Sequence, residues 1–334
     1  MKAICKTKAD IGLTLMDVPN PQFGPHDVLI QIEKTAICGT DTSIYQWSSW
    51  AQKNVPIPLV IGHEFMGRVK DIGSQVTHVK VGDRVSGEGH LTCGECRNCL
   101  EGKRYLCPNT KGVGYHKNGC FAEYLSLPEK NVFILPSDIS DEMGALLDPF
   151  GNATFTALSC DLVGEDILIT GAGPIGCMAV AIAKHAGARS ITITDPNQGR
   201  LEEAKKMGAT HLINITKETL PENSRFKVGL EMSGHPDGLN TLLKHTTMGG
   251  EIALLGILPP STQIDWDLVI FKCLTLRGIW GRKIFGTWHK MIGLLQGGLD
   301  ISSLITHRFK AHEFQKGFDV MLSGKALKVI LDWT

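Results

Sequence analysis

Residues 166–176 read Asp-Ile-Leu-Ile-Thr-Gly-Ala-Gly-Pro-Ile-Gly, a short apolar run that breaks at Gly171 and leads into IGCMAVAIAKHAGA, which has helical length. A strand that turns through G-x-G-x-x-G into a helix is the opening of a dinucleotide-binding βαβ unit. The three glycines do different things. Gly171 permits the tight turn, Gly173 lets backbone approach a pyrophosphate, and Gly176 lets helix and strand pack closely. The helix N-terminus adds free N–H groups and a positive dipole end. The next apolar run, SITITD, ends at Asp195, 24 residues after Gly171. An acid there binds both ribose hydroxyls and repels a 2′-phosphate, so NAD is expected rather than NADP. Arg200, five residues further on, complicates this, because a cation there tolerates a phosphate or stacks on adenine. The plain alternative is an ordinary βαβ turn without ligand.

Downstream, QGRLEEAKKMGA has the look of a polar-faced helix, and HLINIT, KVGLEMSG, GGEIALLGI and LTLRGIWG read as further strands. Alternating strands and helices predict a parallel sheet covered on both faces. Upstream, VLIQIEKTA from Val28, LVIGHEFMGRV from Leu59, VGDRV from Val81, FAEYLSL from Phe121 and NVFILP from Asn131 are short strands punctuated by Gly and Pro. They predict an irregular β-rich domain. A length of 334 residues suits two domains. We place them at 1–147 with 285–334, and at 148–284; the helix FGTWHKMIGLLQGG near the second boundary fits either.

Lys plus Arg balance Asp plus Glu at 34 each, which gives no basic footprint for nucleic acid. No stretch approaches the roughly 20 apolar residues of a membrane span, and the N-terminus lacks a secretory pattern. Four of the ten cysteines fall between Cys93 and Cys107, which reads as metal binding in a reducing cytosol. Cys93, Cys96 and Cys99 are spaced by two residues and Cys107 follows after seven more. Four thiolates closing a tetrahedron describe a structural zinc site. An iron–sulfur cluster or a disulfide is the rival reading.

A second set lies upstream: Cys38 in AICGTD, and His63 and Glu64 in IGHEFMG. Thiolate, imidazole and carboxylate suit a catalytic zinc with one position left open. Singly, each has an ordinary structural explanation. Beside a nicotinamide site they gain a chemical reason: an alcohol must lose its O–H proton as it loses hydride, and a Lewis acid lets it do so near neutral pH. Thr40, two residues after Cys38, is a candidate proton acceptor, or else a turn residue.

AICGTD, IGHE, CGECRNCLEGKRYLC and GAGPIG, in this order, resemble the zinc-containing medium-chain alcohol dehydrogenase superfamily over the whole chain. AICGTDTSIYQWSSWAQK, VSGEGHLTCGECRNC, DPFGNATFTAL, QIDWDLVIFK and ITHRF are similar to its L-threonine-oxidising branch. The resemblance implies an α/β fold: a GroES-like catalytic domain completed by the C-terminal tail, and a doubly wound Rossmann domain. It implies oxidation of L-threonine to 2-amino-3-oxobutanoate with NAD, two zinc ions per chain, a cytoplasmic homotetramer, and a CoA-dependent ligase that takes the product. It matches Cys38, His63 and Glu64 to catalytic zinc and Cys93, Cys96, Cys99 and Cys107 to structural zinc. Asp148 matches an acid near the zinc. Ile175, Asp195, Arg200, Leu255, Gly256, Ile257, Ile279 and Trp280 match cofactor contacts. One departure matters: Ser43 stands where the family has a histidine that pairs with Thr40 in the proton relay, and serine cannot take up a proton near pH 7. His90, in EGHLTC, is a candidate for the substrate's surroundings or an ordinary loop histidine, and the stretch between Thr219 and Val228 looks trimmed. A polyol or other secondary-alcohol dehydrogenase, and a nucleotide-binding protein that has lost catalysis, are the two rival functions.

Overall fold

The computed structural model describes residues 1–334, and the chain divides into two compact units, Met1–Asp148 with Ile305–Thr334, and Pro149–Leu304. The return to the first unit comes at Ile305, later than the expected residue 285. Helix Gly286–Gln296 causes the shift: it buries Trp288 and Met291 in the second unit. There the Trp288 ring lies 5.7 Å from the buried Arg282 guanidinium.

The second unit carries six parallel strands: β1 (Asp166–Thr170), β2 (Ser190–Asp195), β3 (His211–Asn214), β4 (Phe226–Glu231), β5 (Thr246–Leu254) and β6 (Thr275–Gly278). Their order is β3-β2-β1-β4-β5-β6, with every neighbouring pair parallel. The direction of winding reverses at β1, and ligands of such sheets bind in the crevice beyond the strand ends at that point. β1 and β2 read as continuous apolar runs because helices cover both sheet faces.

Helix α1 (Pro174–His185) begins with proline at its first position and buries eight consecutive residues from Gly176 to Ala183. Gly171 has φ +94°, and a Cβ on Gly176 would overlap the Gly171 carbonyl oxygen. Strand and helix therefore approach as only glycine allows. Helix α2 (Gln198–Met207) starts on Asn197, whose side chain accepts from the Arg200 N–H, and stops at Gly208 with φ +112°. Helix α3 (Pro236–His245), which the sequence pattern does not predict, buries Leu239, Leu242 and Leu243 against the sheet.

The first unit is built on a seven-stranded sheet. Strand Asp27–Ala36 lies at its centre, antiparallel to Phe65–Ile72, Tyr124–Pro128 and the C-terminal strand Lys328–Asp332. The last of these pairs in parallel with Ile305–Lys310, so the tail is part of the sheet. Its core gathers Ile4, Ile30, Phe65, Phe121, Phe318 and Leu331. The expected strand from Leu59 is interrupted. Leu59–Val60 and Phe65–Ile72 are separate strands, and Gly62 turns between them at φ +90° with Phe121 filling the place of a Cβ. That turn carries His63 and Glu64.

Candidate active site

The first unit holds two groups of converging ligand atoms. The Sγ atoms of Cys93, Cys96, Cys99 and Cys107 all lie within 4.8 Å of one another. Cys96 caps helix Arg97–Leu100, Cys99 lies inside it, and Cys107 ends the single turn Arg104–Leu106. Cys93 Sγ is 3.5 Å from Cys107 Sγ and 4.0 Å from Cys99 Sγ. A zinc tetrahedron with arms of about 2.3 Å has edges of about 3.8 Å, so this donor set fits that ion. Backbone N–H groups of Glu95 and Cys96 point at Cys93 and pull its thiol down to about 6.

Cys38, His63 and Glu64 form the second group, their donor atoms also within 4.8 Å of one another. Cys38 caps helix Gly39–Tyr45, which carries Thr40, Asp41 and Ser43. Thr40 and Ser43, three residues apart, share one face of it. Asp41, fully buried, accepts the Cys38 N–H at 2.9 Å through Oδ2, and its Oδ1 lies 3.7 Å from His63 Nδ1. On the far side, the buried Lys328 ammonium donates to Glu64 Oε2 and, at 3.2 Å, to the Ile37 carbonyl. His63 Nδ1, Asp41 Oδ1 and Glu64 Oε1 are buried with no hydrogen-bond partner. Of these, Glu64 Oε1 belongs to the converging thiolate, imidazole and carboxylate set, and a set of that mixed type fits a divalent cation.

The electrostatics are those of a crowded acid cluster. Burial works against charge on His63, but Asp41, Cys38 and Asp148 outweigh it and raise the imidazole well above its ordinary range. Burial raises the Glu64 carboxyl against the pull of Lys328. Burial likewise opposes the Lys328 ammonium, yet Glu64 and Cys38 hold it above its usual value. Asp148, buried in the first turn of helix Leu147–Ala157, acts on His63, Glu64 and Asp41 alike. His90 is held by Glu88, which accepts its N–H at 2.9 Å and meets Nδ1 at 2.7 Å.

The second unit holds a cavity of about 990 Å³ lined by Gly171, Gly173, Asp195, Arg200, Ser233 and Lys244, among others. Nothing in the chain lies within 4 Å of where a Gly173 Cβ would stand, so that face of the turn is open. Asp195 accepts the Ala172 and Asn197 N–H groups, each at 2.8 Å, one on each oxygen. Arg200 Nε is buried without a partner. Leu255, Gly256 and Ile257 follow β5, and Ile279 and Trp280 follow β6, at the same end of the sheet. None of these five lines the cavity, and neither do Ile175 and Gly176.

Sequence reasoning missed Asp41 and Lys328. Asp41 was within reach, as the last residue of AICGTD. Lys328 lies 264 residues from Glu64 and carries no local signal.

Two family models match the chain: an alcohol dehydrogenase GroES-like domain over residues 24–137 and a zinc-binding dehydrogenase over residues 174–297. The chain belongs to the zinc-binding alcohol dehydrogenases. Within that family it is 56% identical, over 100% of both chains, to a protein from Marinomonas sp. (strain MWYL1) described as L-threonine 3-dehydrogenase. Solved structures agree on the fold. A protein described as a short chain alcohol dehydrogenase from Escherichia coli CFT073, complexed with NADH, superposes with a TM-score of 0.92 at 26% identity, covering 100% of this chain and 99% of the other. The 2R,3R-butanediol dehydrogenase of Bacillus subtilis gives 0.91 at 25% identity, again covering 100% and 99%.

Proposed function

We propose that this enzyme oxidises the secondary alcohol of L-threonine to 2-amino-3-oxobutanoate, with NAD as hydride acceptor and with one catalytic and one structural zinc per chain. The observation that carries the reading is the Cys38–His63–Glu64 group, with Glu64 Oε1 buried and unpartnered, in a chain 56% identical over its full length to an L-threonine 3-dehydrogenase. A zinc held by Cys38, His63 and Glu64 would supply Lewis acidity to the substrate oxygen, and NAD held at the glycine-rich turn would serve as the hydride acceptor.

The chain's own residues do the rest. Asp41 orients the His63 ring through Nδ1, and Lys328 holds Glu64 by one oxygen and leaves the other for the metal. Thr40 receives the alcohol proton. Ser43, on the same helix face, passes it on by exchange of hydroxyl hydrogens rather than by holding it, and water completes the path. Asp148 adds negative charge beside the metal ligands and moderates the cation's pull. Gly171, Gly173, Ile175, Gly176 and the N-terminus of α1 take the pyrophosphate. Asp195 and Arg200 take the adenosine ribose, and Leu255, Gly256, Ile257, Ile279 and Trp280 take the nicotinamide half. Asp195 has one lone pair on each oxygen still free for ribose hydroxyls, which supports NAD over NADP. Structural neighbours bound to NADH and to NADP support a nicotinamide dinucleotide, and Asp195 carries the preference between them.

The assembly we propose is a cytoplasmic homotetramer that passes its unstable product to a CoA-dependent ligase. Exposed Trp266, Ile270 and Phe271 in the second unit support self-association. Ten cysteines without a disulfide support a reducing compartment, and no helix is long and apolar enough to cross a membrane. The likeness to a butanediol dehydrogenase keeps a second reading, oxidation of a diol or polyol, in view. NADH formation from L-threonine, sorbitol and 2,3-butanediol, measured side by side, separates the two. A higher kcat/KM on either diol or polyol overturns the threonine reading, and no turnover on any of them favours a protein that has lost catalysis.

A further inference from the structure

Glu231 closes β4 as a fully buried carboxylate, 0% exposed, with no lysine, arginine or histidine paired to it. Its charge is met by the chain itself. The Ser233 N–H donates to Oε1 at 2.9 Å, the Gly234 N–H reaches Oε1 at 3.0 Å and Oε2 at 3.2 Å, and the Ser233 hydroxyl also donates to Oε1. Gly234 adopts φ +66°, which curls successive N–H groups into a small anion-binding concavity. The first turn of α3 points its positive end the same way, with Gly238 set so that a Cβ there would stand 3.2 Å from Oε1.

The same residue fastens a second loop. The Glu231 carbonyl accepts the Leu255 and Gly256 N–H groups at 3.0 and 3.1 Å. Its Oε2 and the Gly234 backbone together fill the place a Gly256 Cβ would need, so only glycine fits there. Ser233, held by the carboxylate, stands 2.8 Å from where Gly171 would carry a Cβ. The carboxylate thus locks the Ser233–Gly234 turn and packs on Gly256, while the main-chain carbonyl of the same residue holds the Leu255–Gly256 loop, beyond the ends of β1, β4 and β5. Ser233 and Gly238 line the cavity while Glu231 stands behind them.

A neutral side chain would pack that space without the cost of burying an unpaired charge. A fully satisfied polar network instead fixes one geometry. We propose that Glu231 is a positioning residue for the dinucleotide, holding the two loops that flank the switch point in the register that receives it. This rests on the NAD reading above.

The test is a fluorescence titration of NADH into the zinc-loaded, full-length protein and its Glu231→Gln and Glu231→Asp variants, without alcohol substrate. Gln keeps the size and one acceptor but sets an NH₂ group against the Gly234 N–H. Asp keeps the charge but is one methylene shorter, which draws the carboxylate back from the Ser233 and Gly234 N–H groups. Losing a charge-assisted hydrogen bond should weaken NADH binding by about tenfold in both variants. The KM for L-threonine at saturating NAD and the zinc content should stay at wild-type values, which separates positioning of the cofactor from general loosening of the fold. Wild-type NADH affinity in a folded Glu231→Gln protein overturns the inference. So does an equal loss in threonine KM and zinc content. Failure of the wild-type protein to bind NADH overturns the NAD reading together with it, whereas failure confined to threonine turnover leaves this inference standing.

Discussion

The four-cysteine lobe and the Cys38–His63–Glu64 group both gather ligand atoms within 4.8 Å, but they are assembled from different kinds of information. The lobe draws four identical ligands from fifteen consecutive residues, two short helical turns set their spacing, and backbone N–H groups supply the electrostatic support. The second group draws three unlike ligands from a helix cap and a glycine turn, and its support comes from Asp41 and, across the whole chain, from Lys328. A closed set of four thiolates satisfies its ion by itself and has a structural role. A set of three that leaves a coordination position open needs neighbours to hold unsatisfied groups in place. The difference predicts where each cluster fails.

The largest effect belongs to Cys38→Ala. Loss of the thiolate should reduce turnover by about a thousandfold or more, since the Lewis acid supplies several kcal/mol to the reaction. The fold should survive, because Cys38 is a partly exposed helix cap rather than a core residue. NADH formation, circular dichroism and a metal count per chain check this together. Turnover near wild type in the variant would remove the second cluster from the chemistry.

Next is Lys328→Met, which has no counterpart in the lobe. The ammonium is 3% exposed and the Glu64 carboxylate 0%, so removing one partner leaves the other buried and uncompensated. Breaking such a pair costs about 3–5 kcal/mol, read as a shift in the urea midpoint of the metal-stripped protein. A shift below about 1 kcal/mol would mean that Glu64 is protonated or hydrated in solution and that the pair is not the support described above.

How much of this was legible follows the same division. The lobe could be read directly, because its spacing is local. The alternating strands from Asp166 to Gly278 could be read because periodicity and glycine chemistry are local too, and the βαβ turn at Gly171 lies where it was expected. The interruption between Val60 and Phe65 was not legible, since it depends on Phe121 occupying the space beside Gly62. The tail boundary slipped from 285 to Ile305 because an amphipathic helix does not announce which core it joins, and Trp288 found its partner in Arg282. Lys328 and Glu231 escaped for one reason. Each looks like an ordinary strand residue until the fold removes its water.

A smaller effect sharpens the contrast from the other side. Cys96→Ala should open the lobe locally, so that limited proteolysis between residues 93 and 107 speeds up by about tenfold or more, in line with the dependence of small zinc lobes on their metal. Turnover at 25 °C should stay within a few-fold of wild type, because none of the catalytic ligands lies in that stretch. A loss of turnover as deep as that of Cys38→Ala would show that the two clusters are not separable.

The smallest effect calibrates the buried pair against an exposed one on the same returning tail. Arg308 grips Glu142 with both arms of its guanidinium, Nε to Oε1 at 2.6 Å and Nη2 to Oε2 at 2.8 Å, with Arg308 54% and Glu142 31% exposed. Water screens such a pair, so Arg308→Ala should cost only about 0.5 kcal/mol near neutral pH, several-fold less than Lys328→Met. The hydrogen bonds from Arg308 outweigh burial and hold the Glu142 carboxyl below its ordinary value. A depressed carboxylate contributes stability that is fully present above its unfolded pKa, about 4.3, and fades as pH falls through the lower folded value. The difference in urea midpoint between wild type and Arg308→Ala should therefore be flat from pH 6 to 8 and shrink below about pH 4. A difference that instead grew on acidification would mean that the carboxylate gains nothing from its partner, and the tail would be held at this point by packing alone.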